Sequence, residues 1–345
     1  MRSLRLAPLA LLLLLLVALG SRPVPAQPDK PSMPPPGTVS AATLEEMARA
    51  VVGVVADIDP TSRTAGVLGT HREGNGVVID RNGRVLTIGY LILEASEVRV
   101  VRYDGQDFPA RVLGYDADSG LGLVQVQGAL ELEPLALGES AGLSVQDPVL
   151  MLTRQGLEGA ATATVVSRRT FAGYWEYLLE NAIYTAPPQG DYAGAALLDR
   201  DLRLVGIGSL FVQNAAAESV ALPGNLFVPI DRLKPVLRDL VETGRPRAHP
   251  RPWLGLNVAE QFGRVIVTRV TSHGPASEAG LQPGDLILEV SGHKVEGIAD
   301  FYRQLWASGD AGVVVKLRLL QRNDLVRIAV SSRDRYGHYR TVPRQ

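Results

Sequence analysis

The sequence predicts a mostly β chain folded as two domains. Three observations carry that reading. From about residue 41 to 245, short apolar runs alternate with turn signals and helix is scarce. The composition suits many short strands and tight turns, with 35 Gly and 6% aromatic residues. The polar, proline-bearing run Arg245–Pro252 then interrupts the pattern, and a different one begins at Trp253. A length of 345 residues fits two domains after a targeting segment.

The elements follow in order. Ala41–Ala50 reads as a short amphipathic helix, with Leu44 and Met47 three apart. Val51–Ile58, Gly76–Ile79 and Val85–Ile88 read as strands, with Asp80-Arg81-Asn82-Gly83 turning between the last two. Glu97–Tyr103 alternates and meets Phe108–Leu113 across Asp104-Gly105. Leu121–Val126, Pro148–Leu152, Ala160–Val166, Ile183–Thr185, Ala195–Leu198, Leu204–Ile207 and Leu226–Ile230 continue the series, as a barrel or sandwich does. Asp231–Thr243 reads as a helix with Leu233, Val236, Leu237 and Leu240 on one face and Gly244 as its C-cap. Beyond the linker, Val265–Val270 and Leu286–Val290 are strands and Ala299–Trp306 is a helix. Val313–Leu320 and Leu325–Val330 close a hairpin across Asn323-Asp324.

The start of the chain predicts export. Arg2 and Arg5 precede an apolar run, Leu6–Gly20, and Val24-Pro25-Ala26 offers small residues for cleavage after Ala26. The run is short for a membrane span, so an uncleaved anchor is the lesser reading. Residues 27–40 form a Pro-rich leader, and the mature protein is expected to be periplasmic or secreted, with no membrane span.

Composition removes several chemistries. There is no Cys, which excludes disulfides, thiolate metal sites and a Cys nucleophile. A net charge of -1 gives no field for nucleic acid or an anionic membrane. No metal site or cofactor is expected, since acidic residues scatter at turns and His71 stands alone.

Gly74-Asn75-Gly76-Val77-Val78-Ile79-Asp80, followed by Gly83-Arg84-Val85-Leu86-Thr87, resembles the opening of the trypsin-like domain of the HtrA (Deg) protease family. The likeness runs on through Val98–Gly114, Leu121–Val126, Leu204–Ile207 and Phe227-Val228-Pro229-Ile230. It implies a trypsin-like double β-barrel over residues 41–245. The family's catalytic positions are changed. Tyr90 stands where the family has its His, Gly120 where it has its Asp, and Ala193 where it has its Ser. A phenol with a reference pKa near 10 is a poor base at neutral pH, and a methyl group has no nucleophilic atom. Asp191-Tyr192 is expected to fill or reshape the former oxyanion region, where a carboxylate opposes a developing negative charge.

Gly274-Pro275-Ala276 to Gly280-Leu281, then Pro283-Gly284-Asp285-Leu286-Ile287-Leu288 to Gly292, resembles a PDZ domain of the bacterial protease type over residues 251–335. Trp253-Leu254-Gly255-Leu256 matches the carboxylate-binding loop. Backbone N–H groups around Gly255 can converge on a carboxylate, and the strand from Leu256 can accept an added strand. Leu256, Val258, Phe301 and Leu305 are candidate pocket residues, with core packing as their plainer role. The resemblance implies an exported pseudoprotease that binds exposed peptide C-termini or unfolded segments as adaptor, chaperone or regulator. The alternatives are an active HtrA-type endopeptidase with a displaced triad, and a structural subunit with an occluded groove. A homo-oligomer or an active protease homologue are the implied protein partners.

Overall fold

The first barrel is built from six strands: β1 (Val51–Ile58), β2 (His71–Val78), β3 (Arg84–Ile88), β4 (Ala95–Val101), β5 (Asp107–Tyr115) and β6 (Leu121–Val126). They close in the order β1-β2-β3-β6-β5-β4. β1 is buried along almost its whole length, which is why it reads as an unbroken apolar run. The structure, a computed structural model, describes residues 40–217 and 219–339. The signal segment, and the leader except for its last residue, lie outside the described residues. The helix Ala41–Arg49 before β1 is capped by Ser40, whose Oγ accepts from the Thr43 N–H at 3.0 Å.

The second barrel uses β7 (Pro148–Thr153), β8 (Gly156–Gly173), β9 (Tyr177–Ala186), β10 (Ala196–Leu198), β11 (Leu204–Val212) and β12 (Gly224–Pro229), closed as β10-β11-β12-β9-β8-β7. Two expectations need correction. The predicted strands at 160–166 and 183–185 are parts of one long hairpin, in which Gly173 pairs with Tyr177 around the tip Tyr174–Glu176. Arg168, Arg169, Glu180 and Asn181 break the apolar pattern there, yet two register shifts keep the strands paired through them. The predicted helix at 231–243 is instead a 3-10 turn, Ile230–Arg232, and a helix, Leu237–Glu242. Pro235 separates them, since it brings no N–H and disfavours helical backbone at Lys234. Gly244 does end that helix, at φ +80°.

The C-terminal sheet runs β14 (Leu256–Gln261), β15 (Arg264–Val270), β16 (Leu286–Val290), β18 (Val314–Gln321) and β19 (Asp324–Ser331). β17 (His293–Lys294) pairs with β16, and β13 (Pro252–Trp253) pairs with β20 (Arg333–Asp334). The helix Ile298–Ala307 covers the sheet with Phe301, Tyr302 and Leu305 buried. The closing turn lies at Arg322-Asn323, one residue earlier than predicted, because Gln321 pairs with Asp324. β14 and β19 are the two edges of this sheet.

The charged residues of the linker find partners near the surface. Arg245 pairs with Asp334 at 2.6 Å and His249 with Asp310 at 2.9 Å. Arg251 reaches Asp118 at 3.1 Å and lies 4.3 Å from the Trp306 ring centroid.

Candidate functional site

Two places concentrate the candidate residues. The first is where the barrels meet. β2 of the first barrel touches the segment before β10 of the second, since the Asn75 N–H donates to the Ala193 carbonyl at 2.7 Å. Tyr90 lies on the helical turn Gly89–Ile92 after β3, and its hydroxyl donates to the Ser209 carbonyl on β11 at 2.8 Å. Ser209 follows Gly208, whose carbonyl accepts from the Gly194 N–H at 2.8 Å. The carbonyl of Gly120 accepts from the Gly89 N–H at 2.7 Å. Tyr90, Gly120 and Ala193 are therefore linked, directly or through their chain neighbours, by a few hydrogen bonds where the barrels meet.

The chemistry offered there is sparse. Burial, reinforced by the neighbouring Tyr192, pushes the Tyr90 hydroxyl well above its ordinary range, so it stays a phenol at neutral pH. Gly120 sits at φ +79°, and a Cβ there would lie 3.3 Å from the Tyr177 hydroxyl. Asp116, close in sequence, is buried and spends its carboxylate on the Asp118 and Ser119 N–H groups and the Ser119 hydroxyl. It shapes the turn that delivers Gly120. Asp191 reaches Asn75 Nδ2 at 3.2 Å and Arg154 Nε at 3.5 Å. Its negative charge thus faces a guanidinium, and Tyr192 is half-buried beside Tyr90. His71 begins β2, exposed and 2.7 Å from Asp57. Among the described residues no group of His, Asp or Glu is placed to hold a metal.

The second place is the C-terminal groove. Trp253, Leu254, Leu256, Val258, Phe301 and Leu305 are all buried there. Gly255 sits at φ +81°, and a Cβ on it would come within 3.2 Å of Thr271 and the Trp253 ring, so only glycine suits the loop. The groove residues predicted to face a ligand face part of this chain instead. The Glu176 carboxylate, from the β8–β9 tip, accepts from the Leu254, Gly255 and Leu256 N–H groups at 3.0, 2.7 and 2.8 Å. The Tyr174 carbonyl accepts from the Val258 N–H at 2.9 Å. Leu178 packs in the apolar cluster that holds Leu254, Leu256, Val258, Phe301 and Leu305.

Other residues fasten the tip. The Tyr302 hydroxyl accepts from the Glu176 N–H at 2.9 Å and donates to the Gly173 carbonyl at 2.8 Å. Arg335 donates to the Trp175 and Glu176 carbonyls. Burial pushes the Glu176 carboxyl up, while the Arg335 charge and the N–H donors pull it down. None of Tyr174, Glu176, Tyr302 and Arg335 was singled out by the sequence. A glutamate after two aromatic residues in a gap between strands was the available signal, and it is a weak one.

Comparison with known proteins agrees with this architecture. Residues 74–207 match the trypsin-like peptidase domain and residues 252–331 the PDZ domain. A probable periplasmic serine endoprotease, DegP-like, from Hahella chejuensis is 28% identical over 277 residues, 74% of this chain and 56% of that protein. Protease Do-like 1, chloroplastic, from Arabidopsis thaliana is 30% identical over 256 residues, covering 67% and 57%. The periplasmic pH-dependent serine endoprotease DegQ of Escherichia coli is 27% identical over 273 residues, covering 75% and 58%. The chain spans a little over half the length of these relatives. The HtrA-type protease AlgW, solved with a decapeptide, matches with a TM-score of 0.52 at 21% identity, over 88% of this chain and 100% of that one. The fold is therefore a trypsin-like domain followed by a PDZ domain. That is the build of the HtrA (Deg) proteins, and the chain's relatives are HtrA-type proteases. No helix among the described residues is long and apolar enough to cross a membrane.

Proposed function

We propose that this chain is an exported HtrA-type protein that binds peptide segments through its PDZ domain and does not hydrolyse them. The observation that carries the reading is the chemistry at the barrel cleft. A half-buried phenol donating to the Ser209 carbonyl and the methyl group of Ala193 lie where the barrels meet, at the positions that the sequence resemblance assigns to base and nucleophile. Gly120 supplies no carboxylate to orient a base. Binding is supported by the carboxylate loop, whose N–H groups already converge on a carboxylate, and by β14 at the sheet edge. The AlgW structures, solved with a decapeptide and with a tripeptide, support a peptide ligand. The apolar N-terminal run and the periplasmic relatives support action in the cell envelope, as adaptor, chaperone or regulator in protein quality control.

The test is the purified mature chain with unfolded casein and with a fluorophosphonate serine probe. Neither turnover nor labelling is expected. Turnover that survives removal of contaminating protease would instead establish an active HtrA-type endopeptidase with a displaced triad.

A further inference from the structure

The groove holds an arrangement that a bound peptide would reproduce. An added strand bonds its main chain to β14, and the Tyr174 carbonyl does so at Val258. A peptide's last residue delivers a carboxylate to the loop, and Glu176, two residues on, delivers its own. Glu176 has φ +52°, a left-handed bend that lets the chain turn back into β9 where a peptide would end.

We propose that the β8–β9 tip, Tyr174–Glu176, is a tethered ligand of the PDZ groove, with the Glu176 side-chain carboxylate standing in for a C-terminus. Peptides with a free C-terminal carboxylate compete with it for the Leu254–Leu256 N–H groups. This rests on the groove being a peptide site, as proposed above.

Competition follows from donor number. The Leu254, Gly255 and Leu256 N–H groups are all committed to Glu176, so a second carboxylate must displace the first. A ligand on a short tether acts at an effective concentration on the order of millimolar or above. The apparent affinity for a free peptide is then reduced by the fraction of molecules whose groove is open. A groove guarded in this way admits ligands that bring their own β-strand contacts besides a carboxylate.

The experiment uses the full mature chain, wild type and Glu176→Gln, titrated with a fluorescent decapeptide ending in Tyr-Trp-Leu, as free acid and as C-terminal amide. The glutamine keeps the shape and removes the charge. Glu176→Gln is expected to bind the free acid at least tenfold more tightly than wild type, and in both proteins the free acid is expected to bind more tightly than the amide. Wild type and Glu176→Gln binding the free acid equally, both well above the amide, would overturn the tether and leave the peptide reading intact. No binding of either peptide by either protein would overturn both. A measurement without any variant bears on the same point: saturating free-acid peptide must speed hydrogen exchange at the Glu176 amide, now given to Tyr302. Unchanged exchange there with peptide bound would overturn the tether.

Discussion

The Glu176 carboxylate lies 2.7 Å from the Gly255 amide nitrogen, across 79 residues of chain. That contact ties the tip of a barrel hairpin to the carboxylate loop of the PDZ domain. Because Glu176 is 1% exposed, the contact is made away from water, where each charge-assisted bond contributes about 1.5–3 kcal/mol.

Tyr302 tests how firmly the tip is held. Its hydroxyl is buried and serves both the Glu176 N–H and the Gly173 carbonyl. Tyr302→Phe removes both bonds and leaves a buried N–H unpaired, at a cost of about 1–3 kcal/mol. A lower thermal midpoint is expected, with faster hydrogen exchange at Glu176 and unchanged exchange in β1–β6. Slower or unaltered exchange at Glu176 would show that this hydroxyl does not hold the tip.

Arg251 tests the linker. Its pair with Asp118 is substantially exposed on both sides, 41% and 52%, so the ion pair is worth about 0–1 kcal/mol. The contact with Trp306 adds about 0.5–1 kcal/mol. Arg251→Ala is therefore expected to shift urea unfolding only slightly while speeding tryptic cleavage after Arg247 through local opening. A loss of several kcal/mol would mean the linker is part of the cooperative core.

Much of the fold was legible because burial is written into period and turn residues. Leu121–Val126 and Leu286–Val290 form strands with the predicted bounds, each an apolar run closed by turn signals. The long hairpin was not legible. Arg168 gives its guanidinium to the Ser140 and Leu143 carbonyls, and Arg169 lies 3.8 Å from the Tyr184 ring centroid, so charges that look solvated are in fact packed. Tyr90, Gly120 and Ala193 were singled out through the family resemblance, and the structure links them through hydrogen bonds where the barrels meet. For the Glu176 contact the N–H donors around Gly255 were legible, but no pattern marked a glutamate between two distant strands as the carboxylate that meets them.

His338 is one source of pH dependence. Its ring lies 4.5 Å from that of Trp253, and burial lowers its pKa from 6.5 to about 4. The folded state therefore binds fewer protons than the unfolded one between those values. Its stability contribution is complete above pH 6.5 and is lost as pH falls toward 4. Proton NMR is expected to give a His338 midpoint near 4, with the contacts of β13 and β20 loosening as acid is added. His338→Phe keeps an aromatic ring against Trp253 and should flatten that pH dependence. A midpoint near 6.5 would place the ring in water.

Rebuilding the triad tests the barrel. Ala193→Ser alone adds a hydroxyl with no base beside it, because Tyr90 is a half-buried phenol whose proton is given to the Ser209 carbonyl. No fluorophosphonate labelling is expected. Tyr90→His with Ala193→Ser supplies a base that no carboxylate orients, and such an imidazole lacks the partner that fixes its tautomer. The third change, Gly120→Asp, meets a backbone obstacle. Its φ of +79° is strained for a side chain, and the new Cβ comes within 3.3 Å of the Tyr177 hydroxyl, itself bonded to the Ser119 carbonyl at 2.6 Å. The triple variant is therefore expected to lose stability and to hydrolyse casein no faster than the parent chain. Efficient turnover by the double variant would show that the cleft is preorganised for catalysis and lacks only its nucleophile and base.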